Sequence, residues 1–318
     1  MKKALKVCFM GTPEFAVSSL AKINSSEHEI VGVVTAIDKQ AGRGRKINQS
    51  EVKKYAIENG LPVYQPSNLK SDEFLEQIKK MNPDVIVVVA FRMLPKVIWN
   101  YPKFGTFNLH ASLLPKYRGA APIHWAIING EKETGVTTFF IDEEIDTGKI
   151  ILNKKQPISE EDKLGSLYNK LMVIGSDLVI ETLNLINKHG KHLNVKSQEI
   201  NEDVPSAPKL TRENTKINWN NSAKEIYNFV RGLNPFPLAW TQLSEKGEQI
   251  QIKIYGATYQ ITEHNKRPGE IDLEKKRLGV YVNNGIIYIE ELKAEGKRKM
   301  NIADFLNGYQ LSNDAVFV

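Results

Sequence analysis

The chain has 318 residues, 41% hydrophobic and 25% charged, an ordinary globular composition that can build two domains, each with its own core. Lysine and arginine number 43 against 37 aspartate and glutamate, a net charge of +6 that solubility alone explains but that also admits a polyanionic partner. One cysteine, Cys8, excludes an intrachain disulfide and a cysteine-based zinc site and fits a reducing compartment.

The opening MKKALKVCFMG places lysines before an apolar run, but Lys6 interrupts that run and Gly11 ends it, so it reads as a strand and not a secretion signal. The most apolar stretch, 85–91, is far too short to span a bilayer, so a soluble, cytoplasmic protein is expected. Strand patterns at 6–10, 30–36 and 85–90 alternate with helical patterns at 13–23, 49–59 and 72–81. That alternation predicts an α/β fold with a Rossmann-like, mostly parallel sheet and helices on both faces. The first turn, Gly11-Thr12-Pro13, lacks dinucleotide glycine spacing and no Walker lysine loop occurs, which argues against nicotinamide and ATP. After the second strand, residues 38–54 carry Lys39, Arg43, Arg45, Lys46, Lys53 and Lys54 against only Asp38 and Glu51. With two glycines among the arginines, this stretch reads as a basic finger able to neutralise phosphates, although a solvated surface loop has the same composition.

Residues 106–148 hold the densest chemistry. The run 104–110 reads as a short strand, so Asn108 and His110 point to one face near its carboxyl end, where open α/β sheets bind ligands. A neighbouring strand at 135–142 and the turn after it would carry Asp146 to the same edge. An amide and an imidazole can stabilise the oxyanion of acyl transfer to an amine. Asp146 could accept the amine's proton through water or hold His110 in its protonated, donating form. Pro122 and Gly130 bound a helix at 122–129 whose His124 and Trp125 read as packing or hydrogen-bonding residues, since His110, His124 and Asp146 lack zinc spacing. Arg118 suits either a ligand carboxylate or tying down its loop. A strand at 150–158 and an amphipathic helix at 164–187 complete this half.

The segment from Asn108 through SLLPKYRG, residues 112–119, to Asp146 resembles the signature of the formyltransferases that use 10-formyltetrahydrofolate. The resemblance implies that Asn108 and His110 polarise the formyl group and that Asp146 is the acid/base and orienting carboxylate. It implies a folate site lined by Ser112, Leu113, Leu114 and Pro115, with backbone and apolar contacts from Phe91, Arg92, Met93 and Leu94. For Met93 and Leu94, core packing is an equal reading. AGRG followed by basic residues is similar to the insertion by which the members acting on transfer RNA touch the acceptor arm, implying Arg43, Arg45 and Lys46 as contacts. This chain departs from the family there, with Ile37 and Gln40 where prolines stand. No metal is implied, and the implied acceptor is initiator methionyl-tRNA.

The composition then shifts across 190–210 to a linker pattern without sustained periodicity, and His189 and His192 look exposed. Beyond it come a helix at 222–233, the NPFP element at 234–237 and strands at 238–243, 249–255, 279–281 and 285–292. That spacing suggests a small OB-like β-barrel. The expected division is therefore a catalytic domain at 1–189, a linker at 190–210 and a barrel at 211–318, similar to the domain that holds transfer RNA, acting as a monomer. Lys297, Arg298 and Lys299 could contact phosphates or form a solvated face. Two rival readings stand beside it: the same trio formylating an amino sugar nucleotide, and a non-catalytic RNA-binding protein built on the barrel and the basic stretch.

Overall fold

The computed structural model describes residues 4–41, 46–199, 203–274 and 276–318. The chain packs as two compact units, the first taking the chain as far as Gly119 together with Thr134–Pro157 and Tyr168–Ser206. Its sheet is formed by β1 (Lys6–Gly11), β2 (Glu29–Val34), β5 (Val63–Tyr64), β6 (Val85–Val89), β7 (Thr106–His110), β8 (Glu133–Phe140) and β9 (Ile150–Pro157). Their order is β9-β8-β7-β6-β1-β2-β5. From β7 to β5 every pairing is parallel, whereas β8 runs antiparallel to β7. Every residue of the all-valine-and-isoleucine β6 is buried, as a central strand covered on both faces requires.

Helices α1 (Glu14–Asn24), α2 (Glu51–Glu58), α3 (Asp72–Met81) and α4 (Lys96–Trp99) belong to this unit. Ser50 and Ser71 cap α2 and α3 by accepting from Lys53 N and Phe74 N, which satisfies an otherwise orphaned amide at each start. Helix α3 places Phe74, Ile78 and Met81 on Cys8, Met10, Ile86 and Val88. Burial there pushes the Cys8 thiol up to about 12. The opposite face takes the long helix Leu164–His189, whose Gly175 lies against Leu109 and Val136 and whose Tyr168 ring stacks edge-on against Phe15 of α1.

Part of the basic stretch after β2 is regular structure. Strands β3 (Lys39–Ala41) and β4 (Lys46–Asn48) pair antiparallel as a small hairpin. Lys53 is held by Asp38 at 2.6 Å and by Gln65 at 2.7 Å, and Lys54 pairs with Glu51 at 2.6 Å. Those two lysines are thus neutralised within the fold.

The second unit comprises Ala120–Glu133, Ile158–Leu167 and Ala207–Val318. Its antiparallel sheet contains β10 (Ala239–Glu245), β11 (Glu248–Ile261), β12 (Ile271–Glu274), β13 (Arg277–Val282), β14 (Gly285–Ala294) and β15 (Val316–Phe317), in the order β12-β13-β14-β11-β10-β15. A bridge between Glu270 and Val316 ties the two ends of that path, the barrel-like closure that leaves few open edges. Along β10 burial alternates strictly, and its inward Ala239 and Leu243 join Trp219, Ile226, Val230 and Phe305 in one core. The helix Pro122–Ile128 packs within this unit against the helix Ala223–Gly232.

Candidate active site

Asn108 and His110 lie two residues apart on β7, on the face opposite Leu109, near the strand's carboxyl end. His110 is buried. Its Nε2 faces the Tyr117 carbonyl oxygen at 2.8 Å, and because a carbonyl only accepts, Nε2 carries the hydrogen. Nδ1 faces Asp146 Oδ2 at 3.6 Å. Asn108 is half-buried, and its amide makes no hydrogen bond with any described residue. Strand β7 therefore presents one committed imidazole and one free amide.

Asp146 arrives by a longer route than a parallel neighbour would give. Because β8 is antiparallel, Phe140 pairs with Phe107, and the loop after it must double back to reach His110. Asp142 organises that loop by accepting from Glu144 N at 3.2 Å and Thr147 Oγ1 at 2.8 Å. Lys96 pairs with Glu143 on its outer side. Asp146 itself sits at φ 57°, in the left-handed region that costs a non-glycine residue about 1 kcal/mol. Its Oδ2 accepts from Gly119 N at 3.0 Å, and its Oδ1 has no partner among the described residues.

Residues 112–115 form the turn over this site. Ser112 is fully buried and its hydroxyl donates to Lys116 O at 2.6 Å, so it shapes the turn from within. Thr137 on β8 pins the same turn, donating to Ser112 O at 2.7 Å and accepting from Leu114 N at 3.2 Å. Leu114 packs with Phe139 and Ile150, while Leu113 and Pro115 remain half-exposed. After β6, Ala90 adopts φ 48° and turns the chain into residues 91–94. Arg92 donates to Ser67 O at 3.1 Å and to Pro66 O, which ties it down, and Leu94 joins the core. Met93 is 70% exposed, and the backbone of 91–94 makes no hydrogen bond with other described backbone groups.

Arg118 takes the second of its two readings: Nε and Nη2 both donate to Gln198 Oε1, at 3.2 and 2.6 Å. His124 Nε2 faces Phe236 O at 3.3 Å and Trp125 Nε1 donates to Pro208 O at 2.8 Å, the hydrogen-bonding roles expected of them. Burial pushes the His124 imidazole down, opposed by the Phe236 carbonyl. Arg43 and Arg45 lie outside the described residues, and of Lys46 only the strand it belongs to is described. Three contributors escape sequence reasoning. Thr137 is hidden in an alternating strand, the Tyr117 carbonyl is backbone, and Gln198 sits in an aperiodic stretch; only the polar residue at a core-facing strand position gave a usable signal.

The cleft brings an amide, an imidazole and a carboxylate to the end of one strand, a set suited to acyl-group transfer, in which an oxyanion develops and a proton moves. Sequence comparison returns a class of that kind: the Formyl transferase family matches residues 5–183 and the Formyl transferase C-terminal domain residues 209–310. The chain is 50% identical over 311 residues to the methionyl-tRNA formyltransferase of Flavobacterium johnsoniae, covering 98% of each chain, and 48% identical over 315 residues to that of Parabacteroides distasonis, covering 97% of each. It belongs to the methionyl-tRNA formyltransferase family. In fold it is similar to WlaRD, a sugar 3N-formyl transferase, with a TM-score of 0.63 at 22% identity over 92% of this chain and 99% of that one. No helix among the described residues is long and apolar enough to cross a membrane, and none of their side chains form a group that could hold a metal ion.

Proposed function

We propose that the chain transfers the formyl group of 10-formyltetrahydrofolate to the α-amino group of methionine esterified to initiator transfer RNA, with Asn108, His110 and Asp146 at the reacting centre. The observation that carries this reading is the Asn108 amide, unpaired among the described residues, on the same strand face as a His110–Asp146 pair whose Oδ1 is also unpaired among them. Esterification lowers the basicity of the amine, so a neutral nucleophile is accessible near pH 7. The amine nitrogen bonds to the formyl carbon and the carbonyl electron pair moves onto oxygen, where the Asn108 amide donates. With Nε2 committed to Tyr117, His110 can act only through Nδ1, so it works on the same proton as Asp146. Oδ1 of Asp146 takes the proton that the new ammonium sheds. The tetrahedral carbon then collapses, its bond to folate N10 breaks, and the proton held by the pair returns to that nitrogen.

The free backbone of 91–94 suits the hydrogen-bonding edge of a pterin ring, with exposed Met93 and half-exposed Leu113 and Pro115 as apolar walls. Ser112 and Leu114 shape that wall from behind. The folate-bound form of HypX from Aquifex aeolicus, described as a complex with tetrahydrofolic acid, shares this fold with a TM-score of 0.61 at 18% identity over 95% of this chain and 47% of that one. We assign Arg43, Arg45 and Lys46 to the acceptor arm and the barrel to the body of the transfer RNA. The domains we infer are 1–189, 190–210 as connector and 211–318.

One assay tests the whole reading. Formylfolate labelled in its formyl carbon is incubated with methionyl-tRNA and an amino sugar nucleotide together. Label in formylmethionyl-tRNA supports the proposal; label in the sugar alone, or in neither, rejects it.

A further inference from the structure

Gln198 divides its amide between the turn that carries Asp146 and the loop that holds the Asp146 carboxylate. Nε2 donates to the Asp146 carbonyl at 3.0 Å and to the Gly148 carbonyl at 2.7 Å, and Oε1 accepts from Arg118 Nε and Nη2. The next residue, Gly119, sends its N–H to Asp146 Oδ2, and the residue before, Tyr117, takes the His110 Nε2 hydrogen on its carbonyl. One side chain thus joins the backbone on one side of the Asp146 carboxylate to the loop that grips the carboxylate on the other. Its own segment is anchored at both ends: Lys196 exchanges backbone hydrogen bonds with Ile150 at 2.8 and 2.9 Å, and Pro205 O accepts from Tyr117 N at 2.6 Å.

We propose that Gln198 is a positioning residue for formyl transfer, fixing the left-handed conformation of Asp146 so that the unpaired Oδ1 faces the amine while Nδ1 of His110 stays beside Oδ2. The physical need is plain. The left-handed region is less favourable than the right-handed or extended ones even for aspartate, which tolerates it better than most residues, and Gln198 is a side chain that holds the Asp146 carbonyl in it. The Arg118 contact prevents the glutamine amide from flipping, because only its oxygen can face a guanidinium and only its NH2 can face two carbonyls. Gln198 touches neither reactant in this arrangement, so its effect reaches chemistry only through Asp146. The inference rests on the acid/base role proposed above for Asp146.

The test is a double-mutant cycle on the full-length enzyme. Gln198→Met keeps the length of the side chain and removes all four hydrogen bonds. Gln198→Glu keeps the acceptor for Arg118 but sets an oxygen against the Asp146 and Gly148 carbonyls. Both variants are expected to lower kcat roughly 10- to 100-fold, the cost of a misplaced reacting group, with KM for formylfolate within about twofold. In the Asp146→Asn background, Gln198→Met should slow the residual rate no further, because the group it positions is gone. Wild-type kcat in Gln198→Glu, or effects that multiply in the double variant, would overturn the positioning role. Should Gln198→Met fail to fold, by thermal melting, Gln198→Glu alone carries the decision: a kcat loss within a wild-type melting profile supports the role and an unchanged kcat rejects it. An Asp146→Asn enzyme of wild-type rate would instead sink the site reading itself, whatever Gln198 does.

Discussion

Replacing Asn108 by alanine isolates a donor of the site that bonds to no described residue. Because the amide is half-exposed and bonds to no described residue, its removal strands no partner, and folding stability should change by no more than about 0.5 kcal/mol. The transition state loses more. A single donor aimed at a developing oxyanion is worth about 2.7–4 kcal/mol, which at about 1.36 kcal/mol per decade is a loss of roughly 100- to 1,000-fold in kcat. Asn108→Asp, of equal size, should be at least as slow, since it puts a charged acceptor where the oxyanion forms. Single-turnover transfer under saturating formylfolate and methionyl-tRNA reads the rate, and a binding titration reads affinity for transfer RNA, expected within about twofold of wild type because the group acts on the transition state. A rate within tenfold of wild type, or lost affinity with retained rate, would refute the reasoning.

Gly148→Ala should impair the enzyme through Asp146, since a Cβ there would overlap the Phe140 carbonyl and the loop must move; kcat should fall about tenfold or more, with the melting temperature lowered by several degrees. In the helix Ala223–Gly232, Ser222 and Glu225 form a capping box in which Glu225 accepts from Ser222 N at 2.8 Å and Oγ at 2.6 Å, holding its carboxyl below the usual range. That contribution is present above the unfolded carboxyl value and is lost as pH falls through the depressed folded one, so Ser222→Ala should cost about 1 kcal/mol in denaturant melts near pH 7 and progressively less in acid. Arg43→Ala should raise KM for methionyl-tRNA several-fold, flatten its salt dependence by about one phosphate contact and leave KM for formylfolate unchanged; steady-state kinetics at two salt concentrations check it.

The parts of this fold that the sequence reveals are those governed by burial. Strand β6 is a continuous apolar run because both its faces are covered, and α3 begins and ends at 72 and 81 as its serine cap and apolar spacing require. Strand β11 extends from 248 to 261, well past the expected 255, because a bulge around Gly256 breaks the alternation that marks a strand. The pairing of β3 with β4 is invisible because three-residue strands are too short to show an alternating pattern. Asn108, His110 and Asp146 were legible as types and as a motif, but the direction of β8 leaves no mark on the residues of that strand. The looping path to Asp146 depends on that direction. Gln198 was illegible altogether, since a glutamine in an aperiodic stretch looks like any solvated side chain until its four partners are in place.

Three of the non-glycine residues with positive φ belong to the site: Ala90 at 48°, Tyr117 at 59° and Asp146 at 57°. At about 1 kcal/mol each, such conformations persist only where their surroundings over-determine them. Two of the three are so held: Tyr117 is pinned between His110 and Pro205, and Asp146 is gripped by Gly119 and Gln198. If Asp146 accepts a proton from a bound amine as proposed, being locked in this way helps, because reorganising it during the reaction would add to the barrier. The strained backbone then stands where the proposed transfer needs rigidity, and the restraints on it come from the sheet, the 117–119 loop and residues 196, 198 and 205 together.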